Sequence, residues 1–197
     1  MNNQRYIALI ILLTPLIVLS LSTALFYSGI FSTTNTTENG SFLNPHIETE
    51  GTELSLEDGT SFEFIKGKWY LVYFDDFNDL ELSSEKYQTA RAINITLGRE
   101  MNRLKRVVVY RDKDKFESIK DIRADYPDIV FVYDGEFLFE GRIETQRDNP
   151  YQSKSFFILN FYSDVVGEFY DTLTFSEIFE DVKKLLWKYL IQNLLQP

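Results

Sequence analysis

The chain has 197 residues, enough for one sizeable core and too few for two ordinary domains plus extras. Its 30 acidic residues outnumber 20 basic ones, and the net charge of -10 argues against a partner with a phosphate backbone, so no nucleic acid is expected. There is no cysteine, which excludes thiol–disulfide exchange, cysteine nucleophiles, thiolate-bound zinc and iron–sulfur clusters; a single histidine excludes a histidine-rich metal site.

No charged residue occurs from Tyr6 to Phe31. As a helix this run would rise about 39 Å, against a hydrocarbon core of roughly 30 Å. Tyr6 stands at one end and Phe26 and Tyr27 near the other, as interfacial aromatics would. A cleavable secretory signal has an apolar region of only about 7–15 residues. This run is longer and lacks an Ala-x-Ala cleavage site, so an uncleaved anchor is expected. Arg5 precedes it, and no Lys or Arg follows until Lys66, which puts the amino terminus inside. The expected location is the cell inner membrane, single-pass, with the carboxyl-terminal domain in the periplasm. All 30 acids and 19 of the 20 basic residues follow the run, so the exported part carries about -11.

Residues 32–46 are polar apart from Phe42 and Leu43 and read as a tether. The expected division is therefore an anchor over 1–31, a tether over 32–46 and an exported domain over 47–197. Asn35, Asn39 and Asn94 sit in Asn-x-Ser/Thr sequons, which matter only in a host that glycosylates exported proteins.

Residues 53–56 and 61–65 flank Glu57-Asp58-Gly59 and predict a hairpin. The run WYLVYF over 69–74 predicts a strand buried on both faces. Residues 84–97 predict a helix capped by Ser83 or Ser84, with Ala90, Ile93 and Leu97 on one face and Gly98 after its end. A strand over 107–110 follows, then a charged helix over 115–125 stopped before Pro127, then a strand over 129–133.

Residues 137–143 and 155–162 read as further strands, and 168–170 as one more returning across a turn at 163–167. The final helix is framed by Thr174 and Glu177, a capping box. Phe175, Ile178, Phe179, Val182, Leu185, Leu186, Tyr189 and Leu190 give it an apolar stripe that must dock on the sheet. Strand–helix–strand–helix–strand, a hairpin and a closing helix make an α/β chain with helices on both faces of one sheet, and thioredoxin-like topology fits that order.

GKWYLVYF at 67–74, TLGRE at 96–100, RLKRVVVY at 103–110 and the late run FILNFYSDVVGEFYDTLTFSEIFEDVKKLLWKYL at 157–190 carry a resemblance. With the amino-terminal anchor, the chain resembles membrane-anchored thioredoxin-like proteins associated with cytochrome c oxidase assembly, distant relatives of the Sco copper chaperones. The resemblance implies a thioredoxin-like exported domain and a respiratory-oxidase subunit or assembly protein as partner. Members of that family commonly carry two cysteines just after the GKW strand, and Sco proteins need a later histidine. Here that stretch reads DDFNDLELSS, and the one histidine is His46, in the tether. Asp75, Asp76, Asp79, Ser83 and Ser84 thus stand at a degenerate redox-loop position. Copper(I) prefers thiolate and thioether ligands, and Met1 and Met101 are the only thioethers.

Asp75, Asp76, Asp79 and Glu81 follow a central strand at its carboxyl end, where open α/β sheets place ligands. They are read as a solvated acidic loop rather than a hard-cation site, since no glycine-bearing calcium loop is present. Serine hydrolysis lacks a Gly-x-Ser-x-Gly elbow, and no glycine loop cradles phosphate. Arg103, Lys105, Arg106, Arg111, Lys113 and Lys115 are read as a solvated surface interleaved with Asp112 and Asp114. The expectation is a non-catalytic, membrane-anchored accessory or scaffold protein in cytochrome c oxidase biogenesis, held to the membrane by Tyr6 to Phe31. It would have no catalytic residue, no metal site and no cofactor. The alternative is an exported carboxylate-dependent metal-binding protein or hydrolase using the loop from Asp75 to Glu81.

Overall fold

The computed structural model describes residues 38–194, together with 13–15, 17–21 and 23, which are helical. Most of the expected anchor from Tyr6 to Phe31, and residues 32–37 of the tether, lie outside the described residues. Among the described residues no helix is long and apolar enough to cross a membrane.

Eight strands form one sheet. They are β1 (Ser41–Ile47), β2 (Leu54–Ser55), β3 (Ser61–Phe62), β4 (Trp69–Phe74), β5 (Leu104–Tyr110), β6 (Ile129–Tyr133), β7 (Phe156–Leu159) and β8 (Val165–Phe169), in the order β1-β8-β7-β4-β5-β6-β2-β3. The three apolar runs are adjacent and parallel: Val72 sits opposite Val107, which sits opposite Val130. β7 joins β4 antiparallel, β8 follows it, and the β2–β3 hairpin closes the far edge through Ser55 and Tyr133.

The helices are α1 (Leu80–Thr96), α2 (Lys113–Ser118), α3 (Lys120–Asp125), α4 (Leu138–Glu144), α5 (Pro150–Ser153) and α6 (Phe175–Leu194), with a 3-10 helix at Gly98–Arg103. Alternation along β4 divides the core into two layers. Trp69, Leu71 and Tyr73 face Tyr87, Ala90 and Ile93 of α1 and Ile178, Val182 and Leu186 of α6. Tyr70, Val72 and Phe74 face Phe139 and Ile143 of α4 and Tyr151 of α5. Every residue of β4 is buried, as its unbroken apolar run requires.

Several expected elements differ. Residues 137–143 alternate like a strand but form α4, because Asp134 accepts hydrogen bonds from the Leu138 and Glu140 N–H groups and seeds a helical turn. α1 begins four residues earlier than expected: Asp79, not Ser83 or Ser84, caps it by accepting from Leu82 N at 3.0 Å. The expected helix over 115–125 is two, since Ile119 leaves helical geometry (φ -96°, ψ 16°) between α2 and α3. β8 starts at Val165, and the turn before it is tied by Asn160 Oδ1, which accepts from Tyr162 N and Asp164 N.

β1 runs through the end of the segment read as a tether. It pairs antiparallel with β8, Phe42 opposite Gly167, at a separation in sequence that no local pattern reveals. On α6, Ile178, Val182 and Leu186 are buried, Phe179 and Leu185 pack partly against the core, and Phe175 is exposed. The side chains of Tyr189 and Leu190 lie outside the description. The Thr174–Glu177 capping box forms, Thr174 N donating to Glu177 Oε2 at 2.8 Å.

Candidate functional site

The segment after β4 stands at the carboxyl ends of the parallel strands, and each of its acidic groups has a local task. Asp75 is 2% exposed. Its backbone N–H continues the sheet to Val109 O at 2.9 Å. One carboxylate oxygen accepts from Phe77 N at 2.8 Å and the other from the Tyr87 hydroxyl at 2.7 Å. Burial pushes the Asp75 carboxyl above the usual carboxylate range, against the opposing pull of those bonds, of Ser83 and of the Lys154 charge. The same burial and the Asp75 charge push the Tyr87 hydroxyl far up, so it stays a donor.

Asp76 points elsewhere. It pairs with Lys154 Nζ at 3.0 Å and accepts from the Asn78 side chain at 2.8 Å. Partial burial pushes its carboxyl up, but Lys154 and the Asn78 bonds outweigh this, and the net shift is downward. Phe77, between these groups, holds a left-handed backbone (φ 55°) with its ring buried against Tyr110 and Phe116. A β-region residue there would lift the ring out of the core and break the Phe77 N–Asp75 bond.

Asp79 is the α1 cap, and Ser83 donates its hydroxyl to Asp79 O at 2.9 Å while being buried itself. Ser84 shares a hydrogen bond with the Tyr126 hydroxyl at 3.2 Å. Glu81 is exposed on the first turn of α1. The structure therefore brings Asp75, Asp79 and Ser83 together near the α1 start but sends Asp76 and Ser84 to separate partners. The four acids do not converge, and among the described residues no group of three or more His, Asp and Glu side chains can hold a metal ion.

No better donor set for copper is found elsewhere among the described residues. The loop's carboxylates are hard oxygen donors, and those of Asp75, Asp76 and Asp79 are already engaged. His46 is exposed on β1, at the opposite edge of the sheet from the β5 and β6 side. Met101 lies in the 3-10 helix before β5, at the other end of the parallel strands. Among the described residues no donor set fits a copper(I) site.

Sequence reasoning missed the second half of this end of the sheet. Asp134 follows β6 as Asp75 follows β4, and its N–H continues the sheet to Tyr110 O at 2.9 Å. Glu140 is buried yet accepts from Arg111 at 3.1 Å and from Asn149 at 2.7 Å. The Arg111 guanidinium also lies 4.3 Å from the centre of the Tyr151 ring. Asp112 caps α2 by accepting from Lys115 N at 3.0 Å. The shared signal was an aromatic residue ending each strand with an aspartate one or two positions later: Phe74-Asp75, Tyr110-Arg111-Asp112 and Tyr133-Asp134. All three aspartates are consumed in organising the following loop.

The basic residues around β5 do not form one patch. Arg103 pairs with Glu100 and Arg106 with Asp128 at one end of the strand, while Arg111, Lys113 and Lys115 lie at the other. There Lys115 donates to Asn78 Oδ1 at 2.6 Å and Lys113 covers the Tyr133 ring. A shallow hollow of about 460 Å³ lies at that end, lined by Arg111, Asp112, Lys113, Asp114, Tyr133 and the exposed Phe137. A second cleft of about 500 Å³, rich in Glu48, Glu50, Glu53 and Glu63, lies before the start of β4.

The family model described as the transmembrane-like, thioredoxin-like, C-terminal domain matches residues 69–189. The chain belongs to that family. No curated relative matches it. Among solved structures, the copper-bound ScoI of Arabidopsis thaliana superposes with a TM-score of 0.55 at 12% identity, covering 69% of this chain and 96% of that one. Copper-bound yeast Sco1 gives 0.55 at 15% identity, covering 76% and 92%. Copper-bound ScoI of Bradyrhizobium japonicum gives 0.51 at 12% identity, covering 75% and 98%. At these identities the likeness is one of fold. The chain has a thioredoxin-like fold of the Sco kind, built on a mixed eight-stranded sheet.

Proposed function

We propose that this chain is a membrane-anchored accessory or scaffold protein of cytochrome c oxidase biogenesis, acting without thiol or copper chemistry. The apolar run from Tyr6 to Phe31 holds it in the inner membrane by a single pass, with the thioredoxin-like domain in the periplasm. A respiratory-oxidase subunit or assembly protein is its partner.

One observation carries this reading: the loop where thioredoxin-like relatives carry cysteines is a closed structural unit. Asp75 is tied to Phe77 and Tyr87, Asp76 to Lys154, Asp79 to the α1 amino terminus and Ser83 to Asp79. Ser83 gives its hydroxyl hydrogen to the Asp79 carbonyl and Ser84 shares one with the Tyr126 hydroxyl, so neither is aligned on a base that would make it a nucleophile. Such a loop keeps the fold's recognition surface while giving up its reactive pair. The Sco likeness supplies the process, and the carboxylates' dispersal weighs against the hydrolase or cation-binding alternative.

The test is to purify the tagged full chain from native membranes in mild detergent. Oxidase subunits or their assembly proteins should copurify, and the same preparation should not compete for copper(I) at nanomolar concentration. Stoichiometric copper(I) binding, or a clean preparation free of respiratory proteins, would contradict the proposal.

A further inference from the structure

We infer that the solvent-facing side of α6 is a self-association surface, on which a second copy of this chain packs its own α6 antiparallel. All the residues involved lie in the domain, so the surface stands whether or not the anchor does.

The core takes one side of this 20-residue helix, where Ile178, Val182 and Leu186 are buried. At the helical angle per residue, Ser176, Phe179, Glu180, Lys183 and Trp187 fall within an arc of about 100° on another side. Trp187 is 52% exposed there, and Ser176, Glu180 and Lys183 are exposed as well. Phe179, at the border with the core, is partly covered and stacks on Phe175 with 5.9 Å between ring centres. An indole left half in water on the same face as a second aromatic is the composition of a protein contact, where tryptophan is enriched.

Charge picks the occupant. Residues 175–188 carry three acids and three lysines in a chain of net charge -10, so two copies repel each other least along this helix. On the exposed face the acid comes first and the base second, Glu180 and then Lys183. Among the described residues neither makes an ion pair. The Lys183 ammonium lies 5.9 Å from the Phe179 ring centre, whereas its neighbour Lys184 pairs with Asp181.

A face with one free acid and one free base is complementary to itself when turned end for end. With a twofold axis passing between positions 181 and 182, Glu180 meets Lys183 of the second copy, and Lys183 meets its Glu180. The same register seats Trp187 over Ser176 of the second copy, the smallest side chain on the face. A parallel pair would instead set Glu180 against Glu180 and Lys183 against Lys183, which repel. Twofold symmetry makes each contact twice and closes the pair.

The absence of cysteine makes the test direct. Thr172→Cys gives a single attachment point for a dye, on the exposed turn before α6. The full chain is purified in mild detergent and labelled there, one batch with a donor and another with an acceptor. Mixing the two should give energy transfer. Glu180→Lys alone and Lys183→Glu alone should each cut that transfer to the level of a non-interacting control, and Trp187→Ala should lower it at least twofold. Glu180→Lys and Lys183→Glu combined in one chain should restore it, because the swapped pair is again complementary to itself. Misfolding of a single variant would not be mended in that way. Transfer absent from the otherwise unaltered chain, or equal in all four charge combinations, overturns the inference. Transfer lost in both single variants and not regained in the combined one overturns it too.

Discussion

The Tyr87 hydroxyl donates to Asp75 Oδ2 at 2.7 Å across the start of α1, and both residues are buried. The bond links the end of the central strand to the second turn of the helix that covers it. It makes the loop after β4 a structural joint.

Removing the donor should therefore loosen the fold. Tyr87→Phe leaves a buried carboxylate oxygen without its partner, a cost of about 1–3 kcal/mol. Urea unfolding should show this as a lower midpoint with an unchanged slope. A midpoint equal to that of the wild type would mean the bond contributes nothing.

The pH dependence of stability should bear the mark of Asp75. Its carboxyl is raised by burial, so its stabilising contribution is complete below the ordinary value near 3.8 and is lost as the pH rises through the higher folded value. Asp75→Asn removes that loss. Relative to wild type, the variant should gain stability steadily from pH 4 upward and then level off, in urea titrations taken at intervals to pH 7. Asp76 acts in the other direction, since its lowered carboxyl contributes above its unfolded value and loses that contribution in acid.

The parallel centre of this fold was legible because its strands are unbroken apolar runs: WYLVYF, VVVY and IVFVY have no plausible home outside a doubly covered sheet. The α6 stripe and its capping box were legible for the same local reason. α4 was not, since Phe137, Phe139 and Ile143 alternate like a strand. Its helix is imposed by Asp134 and by the burial of Glu140 against Arg111 and Asn149. β1 was hidden because its pairing partner lies more than a hundred residues away. At the site, the acidic residues after β4 could be read from the sequence, but not that Tyr87 and Lys154 would each claim one.

The docking of α6 is what closes the layer over Trp69, Leu71 and Tyr73. Leu186 is fully buried there, and Leu186→Ala should cost about 2–5 kcal/mol, read by thermal or urea unfolding. Phe175→Ala, on the exposed first turn of the same helix, should stay within about 0.5 kcal/mol.

The proposed topology rests on the flanking charges of the apolar run. Protease added to intact spheroplasts should digest everything after about residue 32, and a domain protected from it would reverse the proposed orientation.

The most direct test of the central claim is the level of assembled cytochrome c oxidase in native membranes, measured by its reduced-minus-oxidised haem spectrum. Cells lacking this chain should show a clear loss of that signal. The full chain carrying His46→Ala, Ser83→Ala and Ser84→Ala together should restore it, because none of these groups is asked to bind copper or exchange electrons. An undiminished oxidase signal in cells without the chain, or failure of the folded, membrane-bound triple variant to restore it, would contradict the account.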